Sequence, residues 1–411
     1  MAATNSRSCL LYLIHLAQDN LDFRLPEIKS LLSLRGRPFR PCENYKERTP
    51  FWVLGELSEE DVHGVMSRSV CAKSAFELWG HGKTHGELRT SLLKYPLEDM
   101  SPYMQKDSTY KINALEYLPF KGNVNLKNPQ HTFTLLEDYG TDPNNIPDQP
   151  LCVYFGRWIA DGQRELIRSY SVKNRHFIGN TSMDAGLAFI MANHAAVKEN
   201  DLVFDPFVGT GSLLVACSHF GAYVCGTDID YNTIHGKGRS SRKNHAWRGP
   251  DENIRANLRQ YGKEKAFLDV MVSDASKPTW RPGLHFDAII TDPPYGIRRH
   301  QTSRGLLRRE PHLLTFSARH LVPGGRLVYW LPVHSPEMIS NSEQTLSSNT
   351  SRRLITMQKF KEPEESDALA DMSEPCYSPF HGHNAFREKY FSGVYLLTHR
   401  CRLTDRFLLT D

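Results

Sequence analysis

Residues 202–211 read Leu202-Val203-Phe204-Asp205-Pro206-Phe207-Val208-Gly209-Thr210-Gly211, and residues 286–295 read Phe286-Asp287-Ala288-Ile289-Ile290-Thr291-Asp292-Pro293-Pro294-Tyr295. Each opens as an apolar run of strand length and closes in turn-forming residues. The first enters a glycine loop and then a helical pattern, an arrangement that brings backbone N–H groups close to a nucleotide-like ligand. The second ends in a carboxylate, two prolines and an aromatic ring. Chemistry in open α/β sheets sits beyond the C-terminal ends of the strands, where both motifs fall. In this order the two pieces predict a doubly wound sheet that methylates an amino group.

Outward from these strands, the chain alternates helix and buried strand from about residue 165. Strands near 202–205, 222–227, 269–273, 286–291 and 326–331 predict a mainly parallel, Rossmann-like sheet. Thr181-Ser182-Met183-Asp184 reads as a helix start, with Asp184 three residues after Thr181. That helix is expected to run through Leu187, Ile190 and Met191 to about Lys198. A crossover helix is expected at roughly Leu313 to Leu321. Polar residues 335–350 and 361–380 read as loops.

Residues 1 to about 160 carry no glycine loop and predict an α+β region. Strands are expected at Leu10 to Leu16, Ser74 to Trp79, Tyr110 to Ile112, Phe133 to Leu136 and Cys152 to Trp158. A short amphipathic helix over Phe23 to Leu32, with Pro26 near its front, and another over Gly86 to Leu93 complete it. Asp138 to Pro150 reads as a loop. The expected bodies are 1–160, 161–360 and a C-terminal extension, 361–411.

The 411 residues are 40% hydrophobic and 23% charged with a net charge of +4, and the pI is about 8.5. This is a globular composition, and so mild a basic excess does not by itself call for nucleic acid. Cys9, Cys42, Cys71, Cys152, Cys217, Cys225, Cys376 and Cys401 form no CxxC pair and no zinc-ligand spacing, so no metal site and a reducing, intracellular compartment are expected. The apolar run Leu10 to Ile14 is broken by His15 and lacks a small-residue cleavage site, so no signal peptide is expected. No run approaches the ~18 apolar residues of a membrane span.

Gly209 and Gly211 permit a tight turn and close approach of a ligand; a plain strand-to-helix turn is the alternative. Asp228 ends the next strand, 23 residues after Asp205, the distance at which an acid holds ribose hydroxyls in dinucleotide folds. Asp274 follows the next strand, where it can bond an exocyclic adenine amine or cap a helix. In the tetrad, the Asp292 carboxylate and the Pro293 carbonyl can each accept one N–H of a planar amino group. This directs the nitrogen lone pair at an electrophile and stabilises the positive charge that develops. Pro294 stiffens the turn, and Tyr295 offers a stacking face. Basic stretches, His235 to Lys243 with Arg239, Arg242 and Lys243, and Arg298-Arg299 continuing to Arg309, can neutralise phosphates.

Long runs carry a resemblance: Phe155-Gly156-Arg157-Trp158-Ile159-Ala160-Asp161-Gly162, Phe177-Ile178-Gly179-Asn180-Thr181-Ser182-Met183-Asp184, Asp228-Ile229-Asp230, Trp247 through Asn257, and Phe386-Arg387-Glu388-Lys389-Tyr390-Phe391, together with the glycine loop and the tetrad. Over most of residues 10–395 the chain resembles the catalytic subunits of eukaryotic tRNA guanine-10 N2-methyltransferases. The resemblance implies an S-adenosylmethionine-dependent domain and an N-terminal ferredoxin-like and THUMP region that binds tRNA. It implies methylation of the N2 amine of guanosine 10, a cytoplasmic location, and a heterodimer with a small zinc-binding methyltransferase activator subunit. It assigns cofactor contacts to Asp205, Pro206, Phe207, Gly209, Thr210, Gly211, Asp228, Ile229, Asp274 and Ala275, with Thr181 and Ser182, and the amine to Asp292, Pro293, Pro294 and Tyr295. The sequence departs from the family pattern between Ile112 and Asn113, between Ile297 and Leu327, and from Val394 onward.

Two rivals stay open on the residues. One is transfer to another amino group, such as adenine N6, another RNA guanine or a protein glutamine. The other is a tRNA-binding scaffold without activity.

Overall fold

Two seven-stranded sheets organise the protein. The structure is a computed structural model that describes residues 10–42, 45–112, 118, 120–242, 245–275, 277, 280–294, 310–334, 350–359 and 391–402. It divides into two compact units, Met1–Glu165 and Leu166–Asp411.

The first unit runs β1 (Tyr12–Leu16), α1 (Leu21–Leu34), β2 (Phe51–Leu54), α2 (Glu59–Met66), β3 (Ala72–Gly82), α3 (His85–Lys94), α4 (Leu97–Met100), β4 (Thr109–Ile112), β5 (Asn123–Val124), β6 (His131–Asp138) and β7 (Cys152–Asp161). The strand order is β2-β1-β3-β7-β6-β4-β5. Pairing is antiparallel from β2 through β6, and parallel where β4 joins β6 and β5. Tyr12, Ile14, Trp52, Ile28, Leu31 and Val62 form one core, which includes residues of α1 and α2. Trp79, Leu88, Leu92, Phe133 and Phe155 form another, which includes residues of α3. Helix α1 begins two residues earlier than its sequence pattern predicts, so Pro26 lies inside the helix, not in its first turn.

Two buried charge clusters brace this unit. The Glu27 carboxylate accepts from Ser69 Oγ at 2.6 Å and from the N–H groups of Val70 and Cys71 at 3.1 and 3.0 Å. Arg157 on β7 donates through Nε to Glu77 at 2.8 Å and through Nη2 to Glu59 at 2.7 Å. Tyr95 also donates to Glu77, at 2.9 Å. A charge buried this deeply needs such partners, because losing water costs more than one exposed contact returns.

The second unit continues α5 (Glu165–Ser169), α6 (Ala185–His194), β8 (Leu202–Asp205), α7 (Ser212–His219), β9 (Tyr223–Asp228), α8 (Tyr231–Ile234), α9 (Ile254–Gln260), β10 (Phe267–Val272), β11 (Phe286–Thr291), α10 (Glu310–His320), β12 (Leu321–His334), β13 (Thr350–Lys359) and β14 (Phe391–Arg402). The order is β10-β9-β8-β11-β12-β13-β14. The first five strands are parallel, and β13 and β14 are antiparallel. The order therefore reverses between β8 and β11, the switch point where doubly wound sheets bind ligands. Strand β14 joins this sheet, so residues 391–402 are part of it, not a separate extension. Phe204, Phe286, Ile289, Leu314 and Leu327 form the core beside the switch point.

Helix α6 differs from its sequence pattern at both ends. Its cap is Asp184, whose Oδ1 accepts from the N–H groups of Gly186 and Leu187 at 2.7 and 3.3 Å, and not Thr181. It stops at His194, before the left-handed Ala196 with φ of 54°, well short of Lys198. The expected loops at 335–350 and 361–380 lie almost wholly outside the described residues. No helix among the described residues is long and apolar enough to cross a membrane.

Candidate active site

Strand β8 delivers Asp205 to the switch point, where it is 2% exposed. Its Oδ1 accepts from the Phe207 N–H at 2.9 Å and from Thr291 Oγ1 at 2.6 Å. Thr291 ends β11 and is itself fully buried. One buried hydrogen bond therefore ties the first residue of the glycine loop to the residue before the tetrad. Burial pushes the Asp205 carboxyl up to about 7, and the charges of Asp228 and Asp292 raise it too, while the Thr291 and Phe207 bonds pull it down.

Beyond Asp205, Pro206 is buried, and its carbonyl accepts from Thr227 Oγ1 at 3.2 Å. Phe207 and Thr210 are half-buried. Gly209 has φ of 48° and nothing within 4 Å of where a Cβ would lie. That open face is a cradle in which a ligand can reach the backbone. At Gly211, φ is 79° and a Cβ would meet Ile254 Cγ2 at 2.8 Å, so this glycine serves packing.

Asp228, at the end of β9, reaches back to the loop. Its Oδ2 accepts from the Gly209 N–H and its Oδ1 from the Asp230 N–H, both at 2.9 Å. Each oxygen keeps a lone pair for a further donor such as a ribose hydroxyl. Ile229 beside it is 71% exposed, an apolar face next to that acid. Asp274 and Ala275 follow β10, the first exposed and the second half-buried.

The segment before α6 is stitched to the glycine loop. Ser182 Oγ accepts from the Gly179 N–H at 2.8 Å and pairs with Thr210 Oγ1 at 2.7 Å, while Thr181 is exposed. Asn257 of α9, fully buried, accepts from the Phe177 N–H at 2.7 Å and donates to its carbonyl at 2.8 Å. Asn257 and Thr291 are absent from the sequence-derived contacts. For Thr291 the signal was a polar side chain closing an apolar run, which needs an internal partner when buried; Asn257 lies among Arg255, Arg259 and Gln260, and its surroundings gave no such signal.

In the tetrad, Asp292 and Pro293 are half-buried and Pro294 is exposed, and Tyr295 lies outside the described residues. Of the expected phosphate contacts, Arg239 is exposed. Arg242 instead folds onto the backbone, donating to the carbonyls of Arg175 and His176, the latter at 2.9 Å. The structure thus commits Arg242 to holding a loop. Lys243, Arg298 and Arg299 lie outside the described residues. Among the described residues, no group of three His, Cys, Asp or Glu side chains is placed to hold a metal ion.

A glycine loop at the switch point, a carboxylate on the neighbouring strand and an Asp-Pro-Pro turn across from it define this unit as a Rossmann-like α/β domain of the methyltransferase class. Sequence comparison agrees. Residues 173–353 match the family described as "RMKL-like, methyltransferase domain". Residues 10–114 and 100–164 match "Tmrp11 THUMP N-terminal domain". The chain is 59% identical over 438 residues to tRNA (guanine(10)-N(2))-methyltransferase TRMT11 of Mus musculus, covering 93% of this chain and 95% of the relative. It is 57% identical to the Homo sapiens protein of that name, covering 94% and 96%. It is 31% identical to the tRNA (guanine(10)-N(2))-methyltransferase of Saccharomyces cerevisiae, covering 78% and 84%. The chain belongs to the tRNA (guanine(10)-N(2))-methyltransferase TRMT11 family.

Proposed function

We propose that this enzyme transfers a methyl group from S-adenosylmethionine to the exocyclic N2 amine of guanosine 10 in tRNA. The observation that carries the reading is the buried Thr291–Asp205 bond, 2.6 Å long, which brings the two motifs together in a chain of this family. The residues fit the cofactor: Gly209 leaves the backbone open to it, and Asp228 holds acceptor capacity at the loop. When bound, S-adenosylmethionine supplies an electrophilic methyl group on a sulfonium. The Asp292 carboxylate and the Pro293 carbonyl accept the two N–H bonds of the amine, turning its lone pair out of the base plane. With the methyl donor bound, the Asp292 carboxylate would stabilise the positive charge that grows on the amine nitrogen as it takes the methyl group and the thioether leaves. The surplus proton then passes to Asp292 or to water. Preorganised groups of this kind contribute roughly 100- to 1,000-fold in kcat.

The same proposal includes a small zinc-binding activator subunit and a cytoplasmic location. What supports a partner is β10, an edge strand of its sheet among the described residues, which exposes Leu268, Met271 and Val272. Unpaired edges with apolar side chains are ready templates for strand addition.

The test is transfer of labelled methyl from S-adenosylmethionine to unmodified tRNA, with and without the activator, followed by nucleoside mass analysis. N2-methylguanosine at position 10 is expected. Label in another base, or none despite bound cofactor, would overturn the assignment.

A further inference from the structure

The connection from α8 to α9 carries a surface that neither the cofactor nor the amine contacts use. Residues 235–248 include Lys237, Arg239, Arg242, Lys243 and Arg248 and no Asp or Glu. Within this basic stretch Trp247 stands 70% exposed. Large aromatic side chains are mostly buried, so an indole left in water is informative.

Its display is held from both sides. The Arg248 N–H donates to the Gly238 carbonyl at 3.0 Å. The Arg248 guanidinium lies 4.9 Å from the Phe177 ring centre and donates to the carbonyls of Lys237 and Asn232 at 2.8 and 3.3 Å. Glu252 ties down the flanks, accepting from the Gly249 N–H at 2.8 Å and from Ser240 Oγ at 2.7 Å. An aromatic pair lies where α8 leads into this connection. Tyr231, exposed, stacks on His235 at 4.0 Å, and Lys237 Nζ sits 5.1 Å from the Tyr231 ring centre. Lys237 and Arg239 are exposed.

We propose that this connection is a single-strand platform for the RNA substrate, on which Trp247 stacks against an unpaired base while Lys237 and Arg239 neutralise the adjoining phosphates. An aromatic face accepts any base, and cations follow the backbone whatever the sequence. Two exposed cations of the stretch, Lys237 and Arg239, stand two residues apart with no acid between residues 235 and 248, which complements a polyanion better than a mixed protein surface. The platform rests on the RNA-substrate reading above and adds where, and in what form, the RNA is held.

The test uses the full chain co-expressed with the activator subunit, and two probes: an unmodified tRNA transcript and a blunt RNA duplex without loops. Trp247→Ala is expected to weaken tRNA binding roughly tenfold and to leave duplex binding within about twofold, with Trp247→Phe recovering most of the loss. Lys237→Ala with Arg239→Ala should lower the salt slope by about two for both probes. The cofactor KM should not move. Wild-type tRNA affinity in Trp247→Ala, or equal losses on both probes, would overturn the platform. Loss of activator co-purification with RNA affinity kept would assign the face to a protein instead. If the unaltered protein binds cofactor but not tRNA, the substrate reading falls with it; if only the variant series fails, that reading stands.

Discussion

Replacing Thr291 with Val removes one hydroxyl and preserves the shape of a fully buried side chain. The cost is then the bond to Asp205 Oδ1, 2.6 Å long, and its size depends on the charge of that carboxyl. A neutral acceptor makes such a bond worth about 0.5–1.5 kcal/mol, and a charged one about 1.5–3 kcal/mol. Burial raises Asp205 to about 7. A carboxyl raised in the folded state contributes stability that is fully present below its unfolded value near 3.8 and is lost as pH rises through about 7. Thr291 limits that loss by bonding the anion. Without it the loss deepens, so the gap between Thr291→Val and wild type should widen from about 1 kcal/mol near pH 5.5 to about 2 kcal/mol above pH 8. Urea titrations at several pH values, with the transition of this unit followed by pulse proteolysis, measure the gap. Thr291→Ser keeps the hydroxyl and should recover most of it. A gap that is constant with pH, or a serine variant as weak as the valine, would refute the coupling.

Asp292→Ala should abolish turnover and spare affinity for the neutral thioether form of the cofactor in equilibrium binding; loss of both would make Asp292 structural. Gly209→Ala should cost only about 1–2 kcal/mol of stability yet weaken cofactor binding, because its methyl enters the open cradle. Gly211→Ala should instead lower the unfolding temperature more, since Ile254 must yield as well; equal thermal shifts for the two variants would count against this division. Arg157→Met should destabilise the first unit by about 3–5 kcal/mol by leaving the Glu77 carboxylate buried without its cation, and calorimetry showing less than about 1 kcal/mol would mean the cluster relaxes freely.

Strands β8 and β11 were legible because strands covered on both faces read as short apolar runs closed by turn residues. The glycine loop and the Asp-Pro-Pro turn were legible because their chemistry is local. Contacts that close over long stretches of chain were not: Asn257 meets Phe177 across 80 residues, and Thr291 meets Asp205 across 86. Neither pairing leaves a trace in spacing. The start of α6 misled because both Thr181 and Asp184 are good capping residues, and only geometry shows which one meets free N–H groups. Arg242 misled because a count of charges does not say whether a guanidinium meets solvent or a backbone carbonyl.

The acids at the strand ends divide by depth, and that division has an electrostatic consequence. Asp205 faces inward and holds β8 to β11, Asp228 braces the glycine loop from the side, and Asp292 lies near enough for its charge to raise Asp205. Burial is the main cause that holds Asp205 protonated near neutrality, and repulsion from the Asp228 and Asp292 charges adds to it. A cation entering among them relieves the same repulsion, whereas a neutral molecule of the same shape does not. The pocket should therefore hold the sulfonium form of its cofactor more tightly than the thioether left after transfer, with the preference fading in Asp228→Asn and at high salt. Equal affinities for the two forms in the wild type, measured by calorimetry, would show that contacts to the adenosine alone govern binding.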